Sequence, residues 1–142
     1  MNILIVGEVK NGELRHTCLE TLTAARSIAE ASGATMAACL VGAEIDAAAG
    51  EMAAHGVDVL QLDDTSYASY SSEGYAEALV KLAQERSFDV VLFADTSFGK
   101  DLAPAVATQL KAALATDVVQ IQAPDGAALH VVRPVYSGKV NA

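Results

Sequence analysis

Residues 89–101 read Asp-Val-Val-Leu-Phe-Ala-Asp-Thr-Ser-Phe-Gly-Lys-Asp. The apolar run Val90–Phe93 lacks the alternation of a half-buried strand, which indicates a parallel strand with both faces covered. After the polar residues, Leu102, Val106 and Leu110 recur at helical spacing. The stretch therefore predicts a central strand, a loop and a helix, which is the repeating unit of α/β proteins.

The same strand-then-helix unit precedes this stretch three times. The predicted strands are Ile3–Val6, Thr35–Val41 and Val57–Leu60. The predicted helices run from Cys18 to a stop at Gly33, from Ile45 to a stop at Gly56, and from a cap at Ser71 or Ser72 through Leu82. Successive units of this kind build a parallel sheet with right-handed crossovers. We therefore predict a three-layer α/β sandwich with a mostly parallel sheet, in which residues 1–142 form a single domain.

The pattern changes in the last thirty or so residues of the chain. Val118–Ile121 and Leu129–Val132 are predicted strands, and Pro124-Asp125-Gly126 between them is a tight-turn sequence. Because so short a connection joins antiparallel strands, we predict a C-terminal hairpin at the edge of the sheet.

Composition and charge exclude several classes of protein. The 142 residues are 52% apolar, which is typical of a folded domain, and no apolar run approaches a membrane span, so membrane insertion is not expected. There are 18 acidic and 9 basic residues, scattered along the chain, and this disfavours nucleic acid as a partner. The first residues do not resemble a signal peptide, and we expect a cytoplasmic protein. Cys18 and Cys39 are predicted to be buried free thiols.

The loop after the central strand is the strongest candidate site. Thr96, Ser97, Gly99 and Lys100 follow a buried strand and precede a helix, where α/β sheets commonly bind ligands. Free N–H groups there could hold an anion. The commoner arrangement is structural, with Ser97 as the helix cap and Gly99 in the turn. In that arrangement Pro104 falls in the first turn of the helix, where its missing N–H breaks no bond.

No motif in the chain predicts an enzyme. The patterns GxGxxG, GxxxxGK[ST] and GxSxG are all absent. The histidines His16, His55 and His130 lie far apart, without the spacing of metal ligands. The pair Asp63-Asp64 follows a strand, where a solvated acidic pair is commoner than a catalytic one. We therefore predict no catalytic, cofactor-binding or metal-binding residue.

Three segments together resemble a known family. Residues 3–8 read Ile-Leu-Ile-Val-Gly-Glu, residues 96–104 read Thr-Ser-Phe-Gly-Lys-Asp-Leu-Ala-Pro, and residues 133–138 read Arg-Pro-Val-Tyr-Ser-Gly. In this order they are similar to the alpha subunit of electron-transfer flavoproteins. The resemblance implies that residues 1–142 are its N-terminal domain, with an adenine nucleotide alpha hydrolase-like (Rossmann-like) fold. It also implies that the C-terminal domain, which holds most of the FAD, is absent from this chain.

The resemblance further implies a role in electron transport. In that family an alpha and a beta subunit form a heterodimer, which carries electrons from flavin dehydrogenases to a quinone reductase or a similar acceptor. This chain would then be a scaffold and interface domain that alone binds no FAD stably and transfers no electrons. Arg133, Pro134, Tyr136 and Gly138 become candidate contacts to the next domain or to the beta subunit. Loss of a neighbouring domain would expose apolar surface and favour self-association.

Two alternatives remain open at this point. The chain could be a small adenine-nucleotide-binding protein that resembles universal stress proteins and uses the Ser97–Lys100 loop for phosphate. Micromolar binding of ATP or AMP would favour that alternative, although the glycine-rich loop usual in those proteins is absent. A nucleotide hydrolase is the other alternative, and hydrolysis that is abolished by Lys100→Ala would support it.

Overall fold

The computed structural model describes residues 1–114 and the strand 131–135. The strands are β1 Asn2–Val6, β2 Val9–Lys10, β3 Glu13–Leu14, β4 Thr35–Gly42, β5 Val59–Asp63, β6 Val90–Ala94, β7 Ala113–Leu114 and β8 Val131–Val135. The helices are α1 Thr17–Ser32, α2 Asp46–Ala53, α3 Ser72–Glu85 and α4 Ser97–Leu110, and a single 3₁₀ turn covers Thr65–Tyr67.

Six of these strands form one parallel sheet. Their order is β5-β4-β1-β6-β8-β7, and each neighbouring pair runs in parallel. The two innermost strands of this sheet are β1 and β6, with Leu4 opposite Val91. The prediction of an α/β protein with a mostly parallel sheet is therefore confirmed.

Helices cover both faces of this sheet and give it two separate cores. On one face Ile3 and Ile5 of β1 pack with apolar residues of α1 and α2, and on the other face Leu4 and Val6 pack with those of α3 and α4. All four β1 side chains are almost fully buried. Alternate side chains of a strand point to opposite faces, so a strand that is apolar throughout requires a layer on each side. This is the predicted three-layer arrangement.

The helix ends follow local sequence signals. Gly33 ends α1 in the left-handed conformation with φ 73°, and its N–H donates to the Ala29 carbonyl at 2.8 Å. Ser71 caps α3, where its hydroxyl accepts the Gly74 N–H at 3.3 Å. Both ends were predicted, because glycine tolerates a positive φ and serine satisfies a free N–H group.

The predicted position of Pro104 is wrong. The helix α4 begins at Ser97, so Pro104 is its eighth residue and lies in the helix interior. A proline there removes the bond to the carbonyl four residues earlier, that of Lys100. The flanking residues Ala103 and Ala107 are buried while Pro104 is exposed, so the ring faces outward and the helix packs on either side of it.

The C-terminal strand also differs from its predicted position. The strand predicted over Leu129–Val132 is observed as β8, and it pairs in parallel with β6 on one side and β7 on the other. β8 is therefore a parallel strand between β6 and β7. The prediction that it lies at the edge of the sheet is wrong. The turn Pro124-Asp125-Gly126 and the strand Val118–Ile121 lie outside the described residues.

A small antiparallel hairpin, β2–β3, was not predicted. It joins Lys10 to Glu13 through Asn11 and Gly12, whose φ angles are 53° and 77°. Two consecutive positive φ angles are the requirement of a type I′ turn, and Asn-Gly is its preferred sequence. The signal was therefore present in the sequence.

Candidate functional site

The candidate site lies at the carboxyl edge of the sheet, outside β1 and β6. After β1 the chain continues to β4 and β5 on one side of it, whereas β6 and β8 lie on the other side. The strand order thus reverses between β1 and β6, and open α/β sheets bind their ligands outside such a reversal point. The loops at this position are residues 7–16, after β1, and residues 95–96, after β6.

The loop after β1 does not have the form of a phosphate-binding turn. Ten residues separate β1 from α1, and they contain the β2–β3 hairpin. The Arg15 N–H closes this loop by donating to the Glu8 carbonyl at 2.8 Å. In dinucleotide-binding domains a glycine-rich turn leads directly into the helix whose N-terminus receives the phosphates. Here a hairpin intervenes between strand and helix.

The loop after β6 is held by Thr96. Its side-chain oxygen accepts the Gly99 N–H at 3.1 Å and its hydroxyl donates to Glu8 Oε1 at 3.2 Å. Thr96 therefore caps α4 and also ties it to the loop that follows β1. The prediction that Ser97 caps the helix is wrong, since Ser97 is the first helical residue and is exposed.

Gly99 is required by a close approach of backbone to backbone. A Cβ built on Gly99 would lie 2.0 Å from the carbonyl oxygen of Ala94 and 3.4 Å from the Phe93 Cβ. The first turn of α4 thus packs directly on the end of β6. Glycine is needed here because a side chain would clash with the strand, and not because of its backbone conformation, since its φ is not positive.

Carboxylates dominate the charge around this loop. Lys100 Nζ lies 3.5 Å from Asp95 Oδ1, and the Glu8 carboxylate is bonded to the helix cap. The four predicted residues of the loop therefore come together on one helical turn. Their one cation faces Asp95, and an anion bound there would lie close to two carboxylates.

Two residues of the second predicted set, Arg133 and Pro134, lie in β8, which ends at the same edge of the sheet. Because β6 and β8 run in parallel with Ala94 opposite Val135, β8 ends beside the start of the Asp95–Thr96 loop. Arg133 and Pro134 are in register with Leu92 and Phe93. Tyr136 and Gly138 lie outside the described residues. The end of β8 thus lies next to the candidate loop.

An aromatic cluster borders this edge and was missed by sequence reasoning. It comprises Tyr67, Tyr70, Tyr75 and Phe98, with ring centroids 5.0 to 6.2 Å apart. The Tyr70 hydroxyl donates to Asp101 Oδ2 at 2.5 Å, and the Tyr75 hydroxyl donates to the Tyr67 carbonyl at 2.7 Å. Burial raises the pKa of Tyr70, and the Asp101 carboxylate raises it further. Tyr70 is nevertheless 42% exposed, so the cluster presents an aromatic ring at the surface.

A depression of about 350 Å³ lies beside the hairpin, between β3 and α2. His16 Nε2 and Glu51 Oε2 are 2.9 Å apart across it, and both side chains are largely exposed. Its lining residues are Gly12, Glu13, Leu14, His16, Ala47, Ala48 and Glu51. No sequence pattern pointed to it.

The acidic pair Asp63-Asp64 holds loops in place. The Asp63 carboxylate accepts the N–H groups of Glu44 and Ile45 at 3.0 and 3.1 Å, which ties β5 to the loop before α2. The Asp64 carboxylate accepts the Ser66 N–H at 2.9 Å, and this hydrogen bond lowers the pKa of Asp64. Both carboxylates thus have structural partners.

The two cysteines are buried free thiols, as predicted. They lie on opposite faces of the sheet, Cys18 in the core with α1 and α2 and Cys39 in the core with α3 and α4. Burial raises the pKa of Cys18 to about 11 and that of Cys39 to about 12. Thiols with such pKa values stay protonated and inert at neutral pH.

Neither a metal centre nor a membrane span is found in the part of the chain that the structure describes. Within it, no group of three or more His, Cys, Asp or Glu side chains is arranged to hold a metal ion. None of its helices combines the length and the apolar character needed to cross a membrane.

Comparison with known proteins gives one family. The model of the electron transfer flavoprotein domain matches residues 3–142. Electron transfer flavoprotein subunit alpha of Thermoanaerobacterium thermosaccharolyticum is 31% identical over 142 residues, which are 99% of this chain and 43% of that protein. The subunit of the same name from Bacillus subtilis is 30% identical over 138 residues, 96% of this chain and 42% of that protein.

A third relative carries a different name. Acryloyl-CoA reductase electron transfer subunit beta of Anaerotignum propionicum is 28% identical over 121 residues, 84% of this chain and 33% of that protein. The chain spans about two fifths of the length of the two alpha subunits that it matches.

Proposed function

The chain belongs to the electron transfer flavoprotein family, and we propose that it is the N-terminal scaffold and subunit-interface domain of an alpha subunit of that family. One observation carries the proposal: 99% of the chain aligns with 43% of an alpha subunit. The larger part of such a subunit therefore has no counterpart in these 142 residues. An alignment of this kind is expected of one domain of a longer protein.

The described residues do not fit FAD, and this supports a flavin site elsewhere in the subunit. The pyrophosphate of FAD is anionic and is usually bound at a glycine-rich turn that opens a helix. Here a hairpin follows β1, and the start of α4 faces the carboxylates of Glu8 and Asp95. We propose that FAD binds in the part of the alpha subunit that this chain does not match. The 142 residues alone would then hold no FAD stably and transfer no electrons.

The carboxyl edge is the surface that we assign to the interface. The Thr96–Lys100 turn, the end of β8 and the aromatic cluster meet there. Tyr70 and Leu114 are the exposed large hydrophobic residues of the described chain. Tyr70 lies at this edge, whereas Leu114 lies opposite Val132, near the amino end of β8. Exposed aromatic rings are typical anchors of protein interfaces.

Membership of the family supports a proposal about the partners. We propose the beta subunit of an electron transfer flavoprotein as the direct partner, and a flavin dehydrogenase as the electron donor to the assembled protein. The acceptor would be a quinone reductase or a related enzyme. The relative from Anaerotignum propionicum is named as an electron transfer subunit of an acryloyl-CoA reductase, so a reductase of that kind is a second class of redox partner to test.

Binding to a purified beta subunit, measured by calorimetry, tests the interface. We expect Tyr70→Ala to weaken binding by at least about tenfold, roughly 1.4 kcal/mol, because an aromatic anchor is lost. Leu114→Ala is the matched control, because it shortens the other exposed large hydrophobic side chain, which lies away from the carboxyl edge. Its affinity for the beta subunit should equal that of the wild type. Equal affinity for both variants would place the interface elsewhere.

Two measurements on the chain alone test the rest of the proposal. Its visible spectrum should show no flavin bands after purification, and a tightly held yellow cofactor would overturn the proposed site of FAD. Calorimetry with ATP and AMP should give no heat of binding. Micromolar affinity that is lost in Lys100→Glu would instead favour the adenine-nucleotide-binding alternative.

A further inference from the structure

The hairpin turn Asn11-Gly12 combines three features of a reactive site. Both residues are exposed, and the turn contains only these two residues. Glycine carries no side chain to shield its backbone nitrogen, and a Cβ built on Gly12 would meet nothing within 4 Å. The nitrogen of Gly12 is therefore accessible to the side-chain amide that precedes it.

From this geometry we infer that Asn11 is a site of spontaneous deamidation, with Gly12 supplying the nucleophile. The backbone nitrogen of Gly12 loses its proton and attacks Cγ of Asn11, and Nδ2 leaves as ammonia. The product is a five-membered succinimide. Water then opens this ring at either carbonyl, which gives aspartate when the side-chain bond to nitrogen breaks and isoaspartate when the original peptide bond breaks. No oxidant or cofactor is required.

Little structure opposes the rearrangement. The turn is flanked by two strand pairs, Lys10 with Glu13 and Val9 with Leu14, and the Arg15–Glu8 backbone bond lies beyond them. Asn11 already holds a φ of 53°, which is uncommon for a residue with a side chain. A short hairpin of this kind opens readily, because two-stranded hairpins are marginally stable on their own. Transient opening is enough to let Cγ reach the Gly12 nitrogen.

Asn2 is an internal comparison with the opposite surroundings. Its Nδ2 donates to the Arg86 carbonyl at 3.2 Å, and its Oδ1 accepts from the Thr35 hydroxyl at 3.0 Å. The next residue is the branched and fully buried Ile3, and Asn2 pairs with Thr35 in the parallel sheet. Both the amide and the nucleophile are therefore held in place.

The modification alters the surface beside the hairpin. Either product adds a negative charge next to Glu13, and Glu13 and Glu51 already line the adjoining depression. Isoaspartate also inserts a methylene group into the backbone, and a two-residue turn cannot absorb the extra length. We expect the isoaspartyl form to lose the β2–β3 pairing, while buried Leu14 remains anchored against α2.

Peptide mass spectrometry after timed incubation at mildly alkaline pH tests the inference. Tryptic cleavage after Lys10 and Arg15 releases residues 11–15, while Asn2 stays in residues 1–10. We expect Asn11 to deamidate at least roughly tenfold faster than Asn2, a difference of about 1.4 kcal/mol in activation free energy. A rate at Asn11 that is no higher than the rate at Asn2 would overturn the inference.

An isoaspartyl methyltransferase assay on the same peptide identifies the product. The peptide that contains residues 11–15 should accept methyl groups after incubation and not before it. Asn11→Gly is the matched variant, because glycine keeps the positive φ of the turn and removes the amide. Its corresponding peptide should stay unmethylated, and methylation of that peptide would count against Asn11 as the reacting residue.

Discussion

Replacement of Gly99 by alanine should destabilise the chain through a clash between two backbone segments. The new Cβ would lie 2.0 Å from the Ala94 carbonyl oxygen, far inside van der Waals contact. The neighbour is backbone of the buried strand β6, which cannot rotate away as a flexible side chain would. The first turn of α4 must therefore move outward.

The magnitude follows from three contributions. Overpacking in a close-packed interior costs about 1–3 kcal/mol. Displacement of the first turn also weakens the bond between the Thr96 side chain and the residue 99 N–H, and loss of such a cap costs about 1 kcal/mol. Alanine recovers about 1 kcal/mol of helix propensity over glycine. We expect a net loss of about 1–3 kcal/mol in the free energy of unfolding, mostly from the clash.

Urea unfolding followed by circular dichroism measures this change, and Gly50 provides the control. Gly50 is exposed in α2, its φ is not positive, and a Cβ there would meet nothing within 4 Å. Gly50→Ala should therefore raise the urea midpoint, because it adds up to about 1 kcal/mol to the free energy of unfolding. The two identical substitutions are thus expected to have opposite signs. A Gly99→Ala chain as stable as the wild type would refute the packing of α4 on β6.

Two further predictions concern the cap and the thiols. Thr96→Ala should lower the free energy of unfolding, measured in urea, by about 1 kcal/mol. Thr96→Ser should retain most of the stability, because its hydroxyl can still accept the Gly99 N–H. Equal losses in both variants would contradict the role of Thr96 as the cap. The pKa values of Cys18 and Cys39 are raised from 9.0 to about 11 and about 12, so above pH 9 the unfolded chain loses thiol protons that the folded chain keeps. Stability should therefore fall as the pH rises from 9 towards 11, by up to about 1.4 kcal/mol per pH unit per thiol, and a double Cys-to-Ala variant that shows the same slope would contradict this assignment.

Local patterns of apolar residues were enough to predict the central strands of the sheet. The runs Ile3–Val6 and Val90–Phe93 are apolar at every position, and both are observed as central strands buried on both faces. This prediction succeeded because a strand that is buried on both faces is apolar at four or five successive positions. The helix ends at Gly33 and Ser71 were predictable for a similar reason, since a cap involves only the nearest turn of its helix.

The errors arose where distant contacts decide the structure. The start of α4 is set by Thr96, whose second partner Glu8 lies 88 residues away, and by the fit of Gly99 against Ala94. Helical periodicity gave no sign of either contact, so Pro104 was assigned to the wrong turn. The parallel pairing of β8 likewise joins it to β6, which lies far earlier in the chain, whereas a short turn sequence alone favoured an antiparallel hairpin.

The aromatic cluster is a surface feature that could not be predicted from the sequence alone. Tyr67 and Tyr70 lie in a segment without periodicity, and Phe98 follows them by some thirty residues. They meet because β5 and β6 end at the same edge of a parallel sheet, so the loops that follow these strands lie on one side of the protein. Only the topology brings the three rings together.

The weak pairing of charges at this edge bears on what can cover it. Lys100 is 64% exposed and its contact with Asp95 is 3.5 Å long, so the pair contributes little to stability and can be exchanged at small cost. Tyr70, by contrast, is fixed by Asp101 and by its neighbouring rings. A rigid aromatic side chain beside an exchangeable charge loses little conformational entropy on binding. These properties favour a protein surface as the occupant over a small anion, which would need the cation free and the carboxylates distant.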